Sequence, residues 1–230
     1  MSKANAASPN VLLAGASGLV GRALLAQLLT DDGAQVHAQV HALMRRDVPD
    51  LPASPRLTRL LIDFAKPGAL PAASALYIAL GTTIKAAGSQ AAFRAVDFDA
   101  VVNVARAARA AGVTRVAVVS ALGADAASKV FYNRVKGEME VALAGLGFER
   151  LVIARPSLLA GERGALGQPP RLGEQLALTL LAPIGRLLPA RMRPIEAAVV
   201  ARALRAALQR DGPAIEIIGS AQLQTLGRAG

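Results

Sequence analysis

The chain contains no cysteine and no tryptophan, and aromatic residues make up 3% of its 230 positions. Without cysteine there is no disulfide framework, no thiolate metal site and no thiol nucleophile. With so few aromatics the stacking platforms of single-stranded nucleic-acid binders are missing. The core must instead be built from Ala, Leu and Val. Long apolar runs are lacking as well: Leu176 to Pro189 is the longest, and Pro183 and Arg186 interrupt it. It is too short and too broken to span a bilayer. The opening MSKANAASPN lacks the apolar segment of a secretory signal, and residues 1–9 read as a loose tail. A soluble, cytoplasmic protein with no integral membrane segment is the expectation. Acidic residues are also in short supply, 16 against 26 Lys and Arg, for a net charge of +10. The arginines are scattered, which favours a solvated basic surface that attracts polyanions over a nucleic-acid partner.

What is present is a strong alternation of apolar segments in a chain of single-domain length that is 53% hydrophobic. The stretch from Val11 to Gly21, VLLAGASGLVG, reads as strand, glycine turn and helix start. Unpaired backbone N–H groups and the helix dipole make such a turn an anion site. Gly15 permits a backbone angle closed to other residues, Gly18 admits a phosphate, and Gly21 lets the helix lie on the strand. The spacing G-x-x-G-x-x-G is one residue longer in its first gap than the common dinucleotide fingerprint.

Further along, the pattern predicts a helix from Leu19 to about Thr30 and a strand from Gln35 to Met44 ending in Arg45-Arg46-Asp47. His37 and His41 share one face of that strand, with no third metal ligand nearby. A proline-rich loop and a strand over Leu57 to Ile62 follow, closed by Asp63 and Phe64. Residues 66–74 are broken by Pro67, Gly68 and Pro71, so the crossover helix expected there is short or absent. A strand over Ala75 to Leu80, a long helix over Ala91 to Ala111, a strand over Arg115 to Val119 and a helix over Ser128 to Leu143 come next. Phe148 to Ala154 is a strand before Arg155-Pro156. Residues 157–194 form a small cap, with a helix near Leu172–Leu181, and a helix over Ile195–Gln209 and a strand over Ala214–Ile218 close the chain. This alternation predicts an α/β fold, a doubly wound parallel sheet with helices on both faces. In such sheets ligands bind beyond the carboxyl ends of the strands, where Gly15, Arg45, Asp63, Gly81, Ser120 and Arg155 all fall.

Tyr132 and Lys136 stand four apart on a helix and so project from one face. Ser120 precedes them by twelve residues at a strand end. The set suits hydride transfer to or from a carbonyl. A free phenol titrates near about 10, and a neighbouring ammonium and oxidised nicotinamide favour its ionised form. Tyr132 is then the general acid/base, Ser120 holds the substrate oxygen, and Lys136 also anchors a ribose.

These residues resemble the two defining motifs of the short-chain dehydrogenase/reductase superfamily. The stretches LGTT (80–83), FRAVDFD (93–99), VVSALGADAASKVFYNRVKGEME (118–140) and ARPSLLAGER (154–163) resemble its atypical branch, the group that includes the Tat-interacting-protein oxidoreductase and small bacterial relatives. The resemblance implies a Rossmann fold and an NAD(P) cofactor. By it, Gly15, Ser17, Gly18, Leu19 and Val20 hold the pyrophosphate, and Asp63 and Phe64 lie by the adenine. Leu80, Gly81 and Thr82 lie by the inner ribose, and Pro156, Ser157 and Leu158 by the nicotinamide. Many of these enzymes carry a helix asparagine that supports a proton-relay water. The best-aligned position here is Asp97, and Asn103 is the one Asn in that helix.

Arg45 and Arg46, at the end of the second strand, suit the 2′-phosphate of NADP, whereas an acid there would suit NAD. NADP is the expected cofactor, although Asp47 follows immediately. The expected activity is a short-chain type oxidoreductase acting on a small carbonyl or alcohol. A cofactor-binding sensor or interaction protein with little turnover is the alternative. A nucleotide-sugar epimerase is a third reading, but about seventy residues after Arg155 leave only a small cap and favour a small substrate.

Overall fold

The computed structural model describes residues 10–30, 39–160 and 189–228. Seven parallel strands form the central sheet: β1 (Val11–Ala14), β2 (Val40–Met44), β3 (Leu57–Leu61), β4 (Ala75–Ile78), β5 (Arg115–Val119), β6 (Arg150–Arg155) and β9 (Ile215–Gly219). Their spatial order is β3-β2-β1-β4-β5-β6-β9. The order reverses between β1 and β4, which is the topological switch point where open α/β sheets bind ligands. The register pairs Val11 with Val40 on one side and with Ala75 on the other. The doubly wound parallel sheet expected from the alternating pattern, and the Rossmann fold implied by the resemblance, are therefore what is observed.

Strands β1 and β4 are buried along their whole length, because helices cover both faces of the sheet. On one face α1 (Leu19–Thr30) and α6 (Ala197–Gln209) pack over Val11, Leu13, Val40, Ala42, Tyr77, Val152 and Ala154. On the other, α4 (Val101–Ala110) and α5 (Phe131–Ala144) cover Leu12, Ala14, Leu43, Ile78, Val116, Val118 and Ile153. Residues 66–74 contain no helix, as their prolines require, and Leu70 and Ala73 fill that part of the second core. A small second sheet pairs β7 (Leu159–Ala160) with β8 (Ile195–Glu196), and α7 (Ser220–Leu226) follows β9.

Several boundaries differ from expectation. The second strand begins at Val40 among the described residues; His37, the tail 1–9 and the cap helix near 172–181 fall outside them. The helix expected from Ser128 starts at Phe131, because Ser128 Oγ accepts from Val130 N and Asp125 Oδ1 from Ala127 N in a preceding turn. The long helix expected over Ala91 to Ala111 is a composite. A short helix α2 (Ile84–Ala87) precedes it, then α3 (Gln90–Arg94) runs into a π-helical segment, Ala95–Ala100, before α4. π-Turns inside helices occur often at functional sites, and this one carries Asp97.

Candidate functional site

The turn after β1 owes its shape to two glycines. Gly15 has φ +93°, and a Cβ on it would meet the Ala79 carbonyl oxygen at 2.5 Å. A Cβ on Gly21 would lie 1.8 Å from the Gly15 oxygen, so α1 reaches the strand only because Gly21 has no side chain. Gly18 N–H donates to the Gly15 carbonyl at 3.0 Å and closes the turn. Its own Cβ position meets nothing nearer than 3.5 Å, which leaves the space above it open. The N–H groups of Leu19 and Val20 then open the helix, where no intrahelical acceptor exists for them.

A cavity of about 1030 Å³ opens over the carboxyl ends of β1 to β5. Gly15, Ser17, Gly18, Leu19 and Val20 form its floor, and Arg45, Arg46, Asp63 and Phe64 its β2–β3 side. Leu80, Gly81 and Thr82 follow β4, and Ser120, Tyr132 and Lys136 form the far wall. Of the residues expected to serve in catalysis or cofactor binding, the structure thus brings together all but three. Pro156, Ser157 and Leu158 do not line it; Leu159 does. Those three serve as braces: the Pro156 carbonyl accepts from Leu122 N at 2.9 Å, and the Leu158 carbonyl from Ile195 N at 3.0 Å. Ser157 Oγ donates to the Arg193 carbonyl and accepts from Ser220 Oγ at 2.9 Å.

On α5, Tyr132, Lys136 and Glu140 succeed one another at four-residue intervals on one face. The Tyr132 ring packs against Phe93, with centroids 5.3 Å apart. Lys136 Nζ lies 2.7 Å from Asp97 Oδ1, and both side chains are almost wholly buried. The ammonium one helical turn along from Tyr132 is therefore matched by a carboxylate. Ser120 Oγ donates to Glu140 Oε1, and Glu140 is held in turn by Arg155, whose Nε donates to it at 3.0 and 3.2 Å. That carboxylate raises the Arg155 guanidinium above its ordinary range. The one hydroxyl proton of Ser120 is thus directed away from the cavity, and its oxygen offers lone pairs there. Glu140 was missed in the sequence, though a carboxylate at the same interval as Tyr132 and Lys136 was the available signal.

Asn103 also lines the cavity, but its amide donates to the Ala65 carbonyl at 3.1 Å and the Phe64 carbonyl at 3.4 Å. It braces the loop that follows β3. Asp97, not Asn103, lies beside Lys136. At the other end of the cavity, Arg45 and Arg46 are exposed and form no hydrogen bond or ion pair with the described residues. Asp47 is otherwise engaged: its Oδ1 accepts from Val48 N at 2.9 Å and pairs with Arg59 at 3.3 Å. Arg22, on α1, donates to the Asp50 carbonyl at 3.1 Å and ties this loop to the helix.

An open glycine cradle on a helix start, two free guanidinium groups and a long cavity form a receptacle for a phosphate-bearing dinucleotide. A family model described as NAD(P)H-binding matches residues 15–151. The chain belongs to the NAD(P)H-binding family. Among its relatives is "Protein fmp52, mitochondrial" of Emericella nidulans, 36% identical over an alignment 162 residues long that covers 67% of this chain and 68% of that protein. The protein of the same name in Aspergillus fumigatus is 38% identical over the same shares. Of solved structures, MoeE5 in complex with UDP-glucose and NAD superposes with a TM-score of 0.66 at 16% identity, covering 96% of this chain and 81% of that one. The oxidoreductase ylbE from Lactococcus lactis gives 0.52 at 21% identity, covering 66% and 71%. At these identities the structural likeness is one of fold. The relatives correct one expectation, that of a cytoplasmic, bacterial-type protein: the fmp52 proteins are fungal and carry "mitochondrial" in their names. No helix among the described residues is long and apolar enough to cross a membrane.

Proposed function

We propose that the protein is an NADP(H)-dependent oxidoreductase that reduces a small carbonyl compound, with Tyr132 as general acid. The observation that carries this reading is the placement of Ser120, Tyr132 and Lys136 on one wall of the cavity whose floor is the Gly15–Gly18 turn. The stretches around LGTT and VVSALGADAASKVFYNRVKGEME support placing it in the atypical short-chain branch close to the Tat-interacting-protein oxidoreductase.

The glycine turn and the first N–H groups of α1 fit a pyrophosphate, and Arg45 and Arg46 fit a 2′-phosphate. When bound, the dinucleotide supplies the hydride that the carbonyl carbon receives. Tyr132 releases its phenolic proton to the carbonyl oxygen as negative charge gathers there, and recovers a proton from solvent after the alcohol leaves. Lys136 holds a positive charge beside the phenol and offers its remaining N–H groups to a ribose. The Ser120 hydroxyl is committed as a donor to Glu140, so in this reading Tyr132, and not Ser120 as the sequence led us to expect, holds the carbonyl oxygen.

A second reading, a cofactor sensor with little turnover, is favoured by that same engagement: carboxylates of the protein occupy both Ser120 and Lys136. The discriminating experiment measures NADPH oxidation against a panel of aldehydes, ketones and quinones, with Tyr132→Phe alongside. The reductase reading expects turnover that falls by about 100-fold or more in the variant, the scale of general acid catalysis, with NADPH binding retained. Equal rates in both proteins would remove Tyr132 from the mechanism. Binding of NADPH with no turnover of any carbonyl would favour the sensor.

A further inference from the structure

The mechanism above uses Lys136 but gives no task to the acid that faces it. Asp97 is wholly buried, and its two oxygens reach two different elements. Oδ1 lies 2.7 Å from Lys136 Nζ on α5, and Oδ2 accepts from Thr82 N–H, just past the end of β4, at 2.8 Å. The backbone between them runs close by: a Cβ on Gly81 would stand 3.4 Å from Asp97 Oδ1 and 3.9 Å from Lys136 Nζ. As a means of holding the fold together, a buried ion pair is often no better than apolar packing of the same volume. This one is retained at the cavity wall, on a π-turn, between the loop after β4 and the helix that carries Tyr132.

We infer that Asp97 is a positioning residue for the cofactor, locking Lys136 Nζ and the Gly81–Thr82 backbone into one unit that receives the ribose on the nicotinamide side. The inference rests on the reading that this cavity takes a nicotinamide dinucleotide. A lysine ammonium has three donors on a flexible stem. With one donor committed to Asp97, the direction of the other two is set before a ligand arrives. Rotamer freedom that binding would otherwise have to remove is already gone. The same carboxylate holds the Thr82 amide, so the loop and the ammonium keep a constant separation.

The test is direct binding, which needs no turnover. NADPH and 2′,5′-ADP are titrated by calorimetry into the full chain, as wild type, Asp97→Asn, Lys136→Met and the double variant. The fragment 2′,5′-ADP shares the adenosine end of NADPH but stops short of the nicotinamide ribose. We expect Asp97→Asn to weaken NADPH by about tenfold, the scale of losing one pre-ordered side chain, and to leave 2′,5′-ADP within about twofold. In the Lys136→Met background the further change Asp97→Asn should cost little, since the two act as a unit. Unchanged NADPH affinity in Asp97→Asn, equal losses for both ligands, or multiplicative losses in the double variant would each overturn the inference. Should Asp97→Asn fail to fold, Asp97→Glu keeps the charge but moves the carboxylate, and wild-type NADPH affinity in it would be equally decisive against. A wild-type chain that binds neither ligand removes the dinucleotide reading itself, whereas binding of both with no selective loss removes only the role of Asp97.

Discussion

Asp47 stands beside the two arginines expected to meet a 2′-phosphate, and a free carboxylate there would turn the site toward NAD. Its oxygen is instead tied to the Val48 amide and to Arg59. An exposed pair of this kind adds little to stability, but it gives the carboxylate a partner other than Arg45 and Arg46. Replacing both arginines, Arg45→Ala with Arg46→Ala, should weaken NADPH by about 10- to 100-fold, the loss of one or two charge-assisted hydrogen bonds. NADH should change by less than about threefold. Fluorescence titration of both nucleotides checks this, and equal losses would remove the phosphate role. At this scale the sequence was informative about residue types and silent about their partners. The Tyr132–Lys136 spacing and the Arg45–Arg46 pair are local patterns on one element. The bonds from Asp97 to Lys136, from Glu140 to Ser120 and from Asp47 to Arg59 join residues 12 to 39 positions apart, and only the folded chain reveals them.

Strands proved the most legible elements, because β1 and β4 are continuous apolar runs, and β5 is one after Arg115, as sheets covered on both faces require. The π-turn at Ala95–Ala100 was not legible, since α and π segments use the same residues and differ only in the bonding register. The pairing of β7 with β8 was also hidden: two residues carry no period. Helix α5 illustrates a packing constraint that composition conceals. A Cβ on Gly137 would lie 2.1 Å from Ala126 N and 2.2 Å from the Asp125 carbonyl carbon, so this helix rests directly on the turn that precedes it. Gly137→Ala would improve helix propensity in isolation. In the folded chain it must push α5, with Tyr132 and Lys136, off that turn. Overpacking of this kind costs about 1–3 kcal/mol, or a fall in melting temperature of roughly 2–12 °C for a chain of this size. A thermal scan together with NADPH binding checks it, and a variant as stable as wild type would show that the turn yields.

The molecule as a whole carries a pH dependence that starts at one histidine. His41 sits within β2, between Leu12 of β1 and Thr58 of β3, and neither ring nitrogen has a hydrogen-bond partner among the described residues. Burial pushes its imidazole below the ordinary range. The unfolded chain, with an ordinary histidine near about 6.5, then binds a proton that the folded chain refuses. Stability is complete above that value and declines as pH falls toward the lowered folded value, by at most about 1.4 kcal/mol per pH unit. Denaturant melts between about pH 7.5 and 5.5 should show a steeper loss for wild type than for His41→Leu. Parallel curves would mean that the imidazole ionises without opposition.

The burial of Tyr77 has a practical consequence. It lies in the core on β4 and is 1% exposed, while Tyr132, the other tyrosine of the chain, faces the cavity. With no tryptophan to add background, the tyrosine absorption band comes from two phenols, one sealed and one facing the cavity. Nitration under native conditions should therefore label a single ring, and its yellow chromophore would report, without any knowledge of the substrate, when the crevice fills.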